Sequence, residues 1–277
     1  MINNNFQITI ITLTKNNEKC LLKTTESIRN QNRNFLIEWI IIDGSDKKCF
    51  IKNKTLINNN FSKAIKKKDI QINHINAKNI NVEGIYPCMN FGKKIAQGKF
   101  LIYLNSGDIF FNNFSLEILF KESLNLDLKK GLLFGQANII SPLNINWNFP
   151  GKRLENVKKW LKIFEPNHQS MIVANSLANR YDFPLNLNVI GDGYWKRKII
   201  DNATEIIYIN KPIVKFFLDG VSSSKPSKEL IITIIKNNNI TIFRKCIFIL
   251  KYILPSGFFY FYYLSQKYKS LLVDLII

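Results

Sequence analysis

The stretch Ile37-Glu38-Trp39-Ile40-Ile41-Ile42-Asp43-Gly44-Ser45 decides the fold. It is a nearly continuous apolar run that stops abruptly at Asp-Gly. A strand covered on both faces reads this way, and such strands belong to parallel sheets flanked by helices. Its carboxyl end carries an acid. On the N-terminal side, residues 7–14 (QITIITLT) form another short β-branched run, and residues 18–30 place Leu21, Leu22, Thr25 and Ile28 at helical spacing. On the C-terminal side, a Lys/Asn-rich segment reads as partly helical and leads to the short alternating strand DIQINHI. Residues 86–97 fit a helix stopped by Gly98, and KFLIYLNSGD at 99–108 resumes the strand pattern. This alternation predicts an α/β fold with a doubly wound, mostly parallel sheet flanked by helices. Ligands of such folds sit at the carboxyl ends of strands. Three of those ends are chemically loaded: Thr12 and Thr14, Asp43-Gly44-Ser45, and Ser106-Gly107-Asp108.

The second half is less regular. Residues 131–140 read as a strand, 154–164 as a basic amphipathic helix, 168–173 as a strand, and 192–200 as a helix with Asp192 near its amino end. From about Pro226 the composition shifts, so residues 1–225 read as one domain and 226–277 as a basic, apolar helical appendage. Within it, residues 247–264 (IFILKYILPSGFFYFYYL) are the most apolar stretch of the chain, broken by Pro255-Ser256-Gly257. A spanning helix needs about 20 apolar residues. The expectation is a pair of helices in the membrane interface, with Arg244, Lys245, Lys267 and Lys269 meeting anionic lipid. The other reading packs these helices onto the domain.

Lys and Arg number 39 against 20 Asp and Glu, a net charge of +19, which implies attraction to something anionic. The lysines are scattered and the loaded strand ends carry acids, so nucleic acid is not the expected partner. Four cysteines lie far apart without a CxxC pair, and there are two histidines, which argues against a zinc site or a disulfide framework. The N-terminus MINNNFQITIITLT lacks a basic lead and a long apolar run, so a cytoplasmic location is expected. Neither GxGxxG nor GxxxxGK[ST] occurs, against a dinucleotide oxidoreductase or a P-loop enzyme.

Together, ITIITLTKN, WIIIDGS, GIYPCMNFGKKIAQGKFLIYLNSGD, NHQS and VIGDGYW resemble the family 2 glycosyltransferases, most of all the bacterial branch that builds exopolysaccharides and O-antigen chains. The resemblance runs over roughly residues 6–220. It implies a GT-A fold, a divalent metal (Mn²⁺ or Mg²⁺), and inverting transfer of a sugar from a UDP- or GDP-sugar. The acceptor it implies is a surface polysaccharide or a polyprenyl-linked glycan, reached from the inner face of the membrane. On this resemblance Asp108 matches the metal-binding acid, and Asp43 the acid that accepts hydrogen bonds from the nucleotide base. Thr12, Thr14, Ser106 and Gly107 sit where the donor nucleotide is held. Asp192 takes the place of the general base, Trp195 that of an acceptor platform, and His168 and Gln169 line the floor.

Plainer readings stand beside these. Asp43-Gly44 and Ser106-Gly107-Asp108 also read as turns, and Asp192 as a helix cap. His168 reads equally as a hydrogen-bonded core residue, Trp195 as packing, and Lys93 with Lys94 as a solvated helix face. The chain departs from the branch at Val82, where an acid is usual with Glu83 as neighbour, at Pro87 in place of Asp, and at Phe91 in place of Lys. Asn105 and Gly107 leave Asp108 as a lone acid in its turn. These departures motivate the alternative of a catalytically weakened member that binds nucleotide or glycan without turnover.

Overall fold

Strands β1 (Ile8–Thr14) and β2 (Ile37–Asp43) pair in parallel, with Ile8 opposite Ile37 and Thr14 opposite Asp43. The computed structural model describes residues 6–61, 69–151, 153–185 and 191–218, with scattered one- and two-residue stretches beyond 230. Every residue of β2 is buried. Ile37, Trp39 and Ile41 share a core with Leu21 and Ile28 of α1 (Glu18–Arg29) and Ile57 and Phe61 of α2 (Lys47–Phe61). Ile40 and Ile42 pack instead with Ala77 and with Cys88 of α3 (Ile85–Ile95). Alternate residues of one strand therefore serve two helical layers, which is why its apolar run has no solvent-facing alternation.

The remaining elements are β3 (Ile70–Asn76), β4 (Phe100–Tyr103), β5 (Ile109–Phe110), α4 (Ser115–Ser123), β6 (Gly131–Ile140), β7 (Asn146–Phe149), α5 (Val157–Ile163), β8 (Met171–Ala174), α6 (Asn175–Ala178), α7 (Gly191–Asn202) and β9 (Glu205–Phe217). They form one sheet in the order β3-β2-β1-β4-β8-β6-β9-β5, with β7 on β6. The first four strands are parallel throughout. Beyond β4 the sheet is mixed: β8 is antiparallel to β4 and β6, and β6 and β9 run parallel. Residues 141–145 join β6 to β7, too short a link for the crossover that a parallel pair needs.

Several sequence expectations shift here. The segment expected as a strand from His168 opens as a 3-10 turn, His168–Ser170, and becomes extended at Met171. Gly98 is not the stop of α3, which ends at Ile95. It is small because a Cβ there would lie 2.6 Å from the Thr9 amide nitrogen. Lys93 is not solvated: it is buried, with Nζ 2.6 Å from Asp182 Oδ1, whereas Lys94 is exposed. The longest strand, β9, carries Lys211-Pro212 in its middle and has no strand signature. The register with β6 shifts beside Gln136, opposite Pro212, and proline in a sheet is tolerated at such irregularities. The division at residue 226 and nearly all of the expected appendage lie outside the described residues. Among the described residues no helix is long and apolar enough to cross a membrane.

Candidate active site

The carboxyl ends of β1, β2 and β4 are laced together. Gly44 N donates to Thr14 O (2.9 Å) and Ser106 N to Leu13 O (3.1 Å). Thr14 Oγ1 donates to Ser106 Oγ (3.2 Å), and Asn16 N to Ser45 Oγ (2.7 Å). Thr14, Asp43 and Ser106 thus meet at one edge, as their strand-end positions suggest. Gly107 turns the loop after β4 at φ +105, a conformation that favours glycine, and its N–H donates to Thr24 Oγ1 (3.0 Å). The loop is thereby seated on α1.

Thr12 does not join this edge. Its hydroxyl is fully buried, donates to Leu104 O (2.7 Å) and accepts from Trp39 Nε1 (2.9 Å), so it ties β1 to its two neighbours. Asp43 has no accessible surface. Its Oδ1 accepts from Ser45 N (2.9 Å), its Oδ2 accepts from Asn53 Nδ2 (2.8 Å), and His74 Nε2 lies 3.0 Å from Oδ2. Burial opposes the charge, but hydrogen bonds from His74, Ser45 and Asn53 outweigh it and hold the carboxyl below its usual range. His74, against which Phe50 stacks at 4.4 Å, is a residue that sequence reasoning missed. Its only signal was its place at the end of the DIQINHI strand.

Asp108 is nearly buried. Its Oδ1 accepts from Phe217 N (2.8 Å) and its Oδ2 from Gln169 Nε2. Gln169 Oε1 accepts in turn from Asn105 N (2.9 Å), so Gln169 holds both ends of the Asn105-Ser106-Gly107-Asp108 turn. Asn105 Oδ1 is buried and has no hydrogen-bond partner among the described residues.

Asp192 lies in the first turn of α7. Its N–H donates to Tyr86 Oη (3.2 Å), and its neighbour Gly191 is small because a Cβ there would lie 2.7 Å from Tyr86 Cε2. Asp192 Oδ2 is 3.6 Å from His168 Nδ1 and 3.5 Å from Lys196 Nζ. Desolvation pushes its carboxyl up, but the Lys196 ammonium and then His168 more than reverse this, and it stays ionised well below the usual carboxylate range. Beneath it runs an aromatic stack. Phe183 faces Tyr86 (5.7 Å, 4°) and Trp195 (4.6 Å, 17°), with Tyr103 edge-on to Phe183 and Trp195. Asn90 brackets Phe183, donating to its O (2.9 Å) and accepting from its N (2.8 Å). Trp195 is therefore packing rather than a platform: it is 1% exposed and has no ring face to offer a sugar. The exposed aromatic of this turn is Tyr194. Tyr86 and Asn90 stand within the quoted GIYPCMN block, but their link to Asp192 was not readable there.

His168 and Gln169 are consecutive. One reaches Asp192 and the other Asp108, so a single dipeptide joins two acids far apart in the chain. The fold has counterparts among solved structures. S. aureus TarS residues 1–349 in complex with UDP-GlcNAc superposes with a TM-score of 0.60 at 14% identity, covering 90% of this chain and 72% of that one. The chain has the GT-A glycosyltransferase fold. The mannosyltransferase PcManGT from Pyrobaculum calidifontis, in complex with GDP-Man and Mn²⁺, superposes with a TM-score of 0.52 at 14% identity, covering 76% of this chain and 58% of that one. No protein-family profile matches the chain, and no curated protein matches it in sequence.

Proposed function

We propose that this protein transfers a sugar, with inversion, from a UDP- or GDP-sugar to a surface-polysaccharide or lipid-linked glycan. The observation that carries the reading is the His168-Gln169 dipeptide, which links Asp192 and Asp108 through one short turn. Inversion asks for a base distinct from the group that holds the leaving diphosphate, because the acceptor hydroxyl attacks the anomeric carbon from the opposite side. Asp192 is ionised and within reach of the exterior, so it takes the hydroxyl proton, a role worth roughly 10² to 10⁴ in rate. Thr14, Ser106 and Gly107 cradle the donor, and Asp43 acts through His74 and Ser45 rather than by touching the base itself.

Metal use is supported by the donor set and by the Mn²⁺ in the mannosyltransferase complex. Among the described residues no group of three or more His, Cys, Asp or Glu gathers at one point. The residues that fit are Asp108 and the unpartnered Asn105 Oδ1, in keeping with a small hard cation held by one or two carboxylates plus substrate phosphates. Such a cation, when bound, neutralises charge developing on the departing diphosphate. The net charge of +19 and the apolar stretch at 247–264 support work at the inner face of a membrane, where lipid-linked acceptors reside.

A second reading, nucleotide or glycan binding without turnover, is favoured by one observation: both oxygens of Asp108 already accept from this chain. Thermal unfolding with UDP, GDP, CDP and ADP, each with and without Mn²⁺, separates the two. Ligand at one hundred times its dissociation constant stabilises by about 2.7 kcal/mol. The expected result is a metal-dependent shift with UDP or GDP. In Asp192→Asn the shift persists while turnover falls by roughly 10² to 10⁴. A shift without turnover in the parent supports the second reading, and no shift with any nucleotide overturns the donor site.

A further inference from the structure

Four charged side chains lie together at the proposed base, two of them, Asp192 at 30% and Arg197 at 32%, partly open to solvent. Lys196 is 12% exposed and Glu165 17%, low values for groups whose burial is costly unless paired. Lys196 Nζ stands between two acids, 3.5 Å from Asp192 Oδ2 and 3.7 Å from Glu165 Oε2. Glu165 is fixed from its far side. Its Oε1 lies 3.2 Å from Arg197 Nη2, and Arg197 Nη1 donates to Leu161 O (2.6 Å). Its Oε2 also rests 3.4 Å from where a Cβ on Gly193 would stand, so the carboxylate lies against the residue after Asp192. One ammonium thus has an anchored carboxylate on one side and the proposed base on the other.

That placement matters when the base changes charge. As the acceptor oxygen bonds to the anomeric carbon and the bond to the diphosphate breaks, the hydroxyl proton moves to Asp192, which becomes neutral. Lys196, itself only 12% exposed, then loses one of its two anions. An ammonium with no anion there disfavours the protonated acid and so weakens the base. We propose that Lys196 is a positioning residue shared between Asp192 and Glu165, and that Glu165 takes over its ammonium as Asp192 accepts the proton. This rests on Asp192 being the base.

The test is a double-mutant cycle in the full chain, with UDP-GlcNAc and GDP-mannose as donors and water as acceptor. Glu165→Gln keeps a hydrogen bond to Arg197 but removes the second anion. Its kcat is expected to fall about tenfold, within the range for coupled neighbours, with donor KM and nucleotide affinity unchanged. Adding Lys196→Met to Glu165→Gln removes the stranded ammonium, and kcat rises again to within about threefold of Lys196→Met alone. A merely structural role for Glu165 gives additive losses, or a change in KM, and either result overturns the inference. So does an unchanged kcat in Glu165→Gln while the parent turns over. A parent that binds nucleotide but turns over neither donor overturns the reading of Asp192 as base, and the inference with it.

Discussion

At the scale of single residues, Asp43 shows how a loaded strand end can differ from its first reading. The acid was legible because a carboxylate after an apolar run is costly unless something pairs with it. What pairs with it is the chain itself, through Ser45, Asn53 and His74. Its folded pKa lies below the ordinary ~3.9 of the unfolded chain. The stability it contributes is therefore present above about pH 4 and lost as pH falls through the folded value. Asp43→Asn is expected to lose about 2 kcal/mol at neutral pH, a difference that shrinks in acid. Urea unfolding at about pH 7 and pH 3 checks this, and an equal difference at both would refute the linkage. Asp108 was legible for the same reason as Asp43, and Asp192 through the resemblance of VIGDGYW. Thr12 was misplaced because a threonine near a strand end gives no sign of whether its hydroxyl points to solvent or, as here, to a tryptophan on the neighbouring strand.

At the scale of elements, the seat of α7 decides where Asp192 sits. Tyr86, Phe183 and Trp195 form the stack beneath it, and Phe183, fully buried, is the middle ring. Phe183→Ala is expected to cost about 3–5 kcal/mol in chemical unfolding. Phe183→Leu, closer in volume, is expected to cost less. A Phe183→Ala cost under 1 kcal/mol, about the size of a surface change, would show that the stack does not hold the helix. None of this was visible in sequence, because its members come from α3, from residue 183 and from α7, and apolar periodicity identifies a buried face without naming its partner.

At the scale of the whole molecule, the charge of +19 belongs to no single element. The expected consequence is salt-sensitive attachment to anionic lipid. The full chain should co-sediment with phosphatidylglycerol vesicles at about 0.15 M salt and release near 1 M, as the screening length falls from about 8 Å to about 3 Å. Equal binding to neutral phosphatidylcholine vesicles at both concentrations would assign the attachment to the apolar stretch instead.

By itself the sequence determined the α/β class, the parallel character of the first strands and the identity of the acids at their ends. Those properties are local: a two-faced apolar run, a helical spacing and a polar stop are written within a dozen residues. Only the tertiary structure decided that the sheet turns mixed after β4, that β9 passes through a proline, and that Trp195 is core. It alone showed that Lys196 stands between Asp192 and Glu165, and that His168-Gln169 spans the two acidic centres. These depend on which side chains distant segments bring together, and burial and hydrogen-bond partnership exist only once the chain has closed on itself.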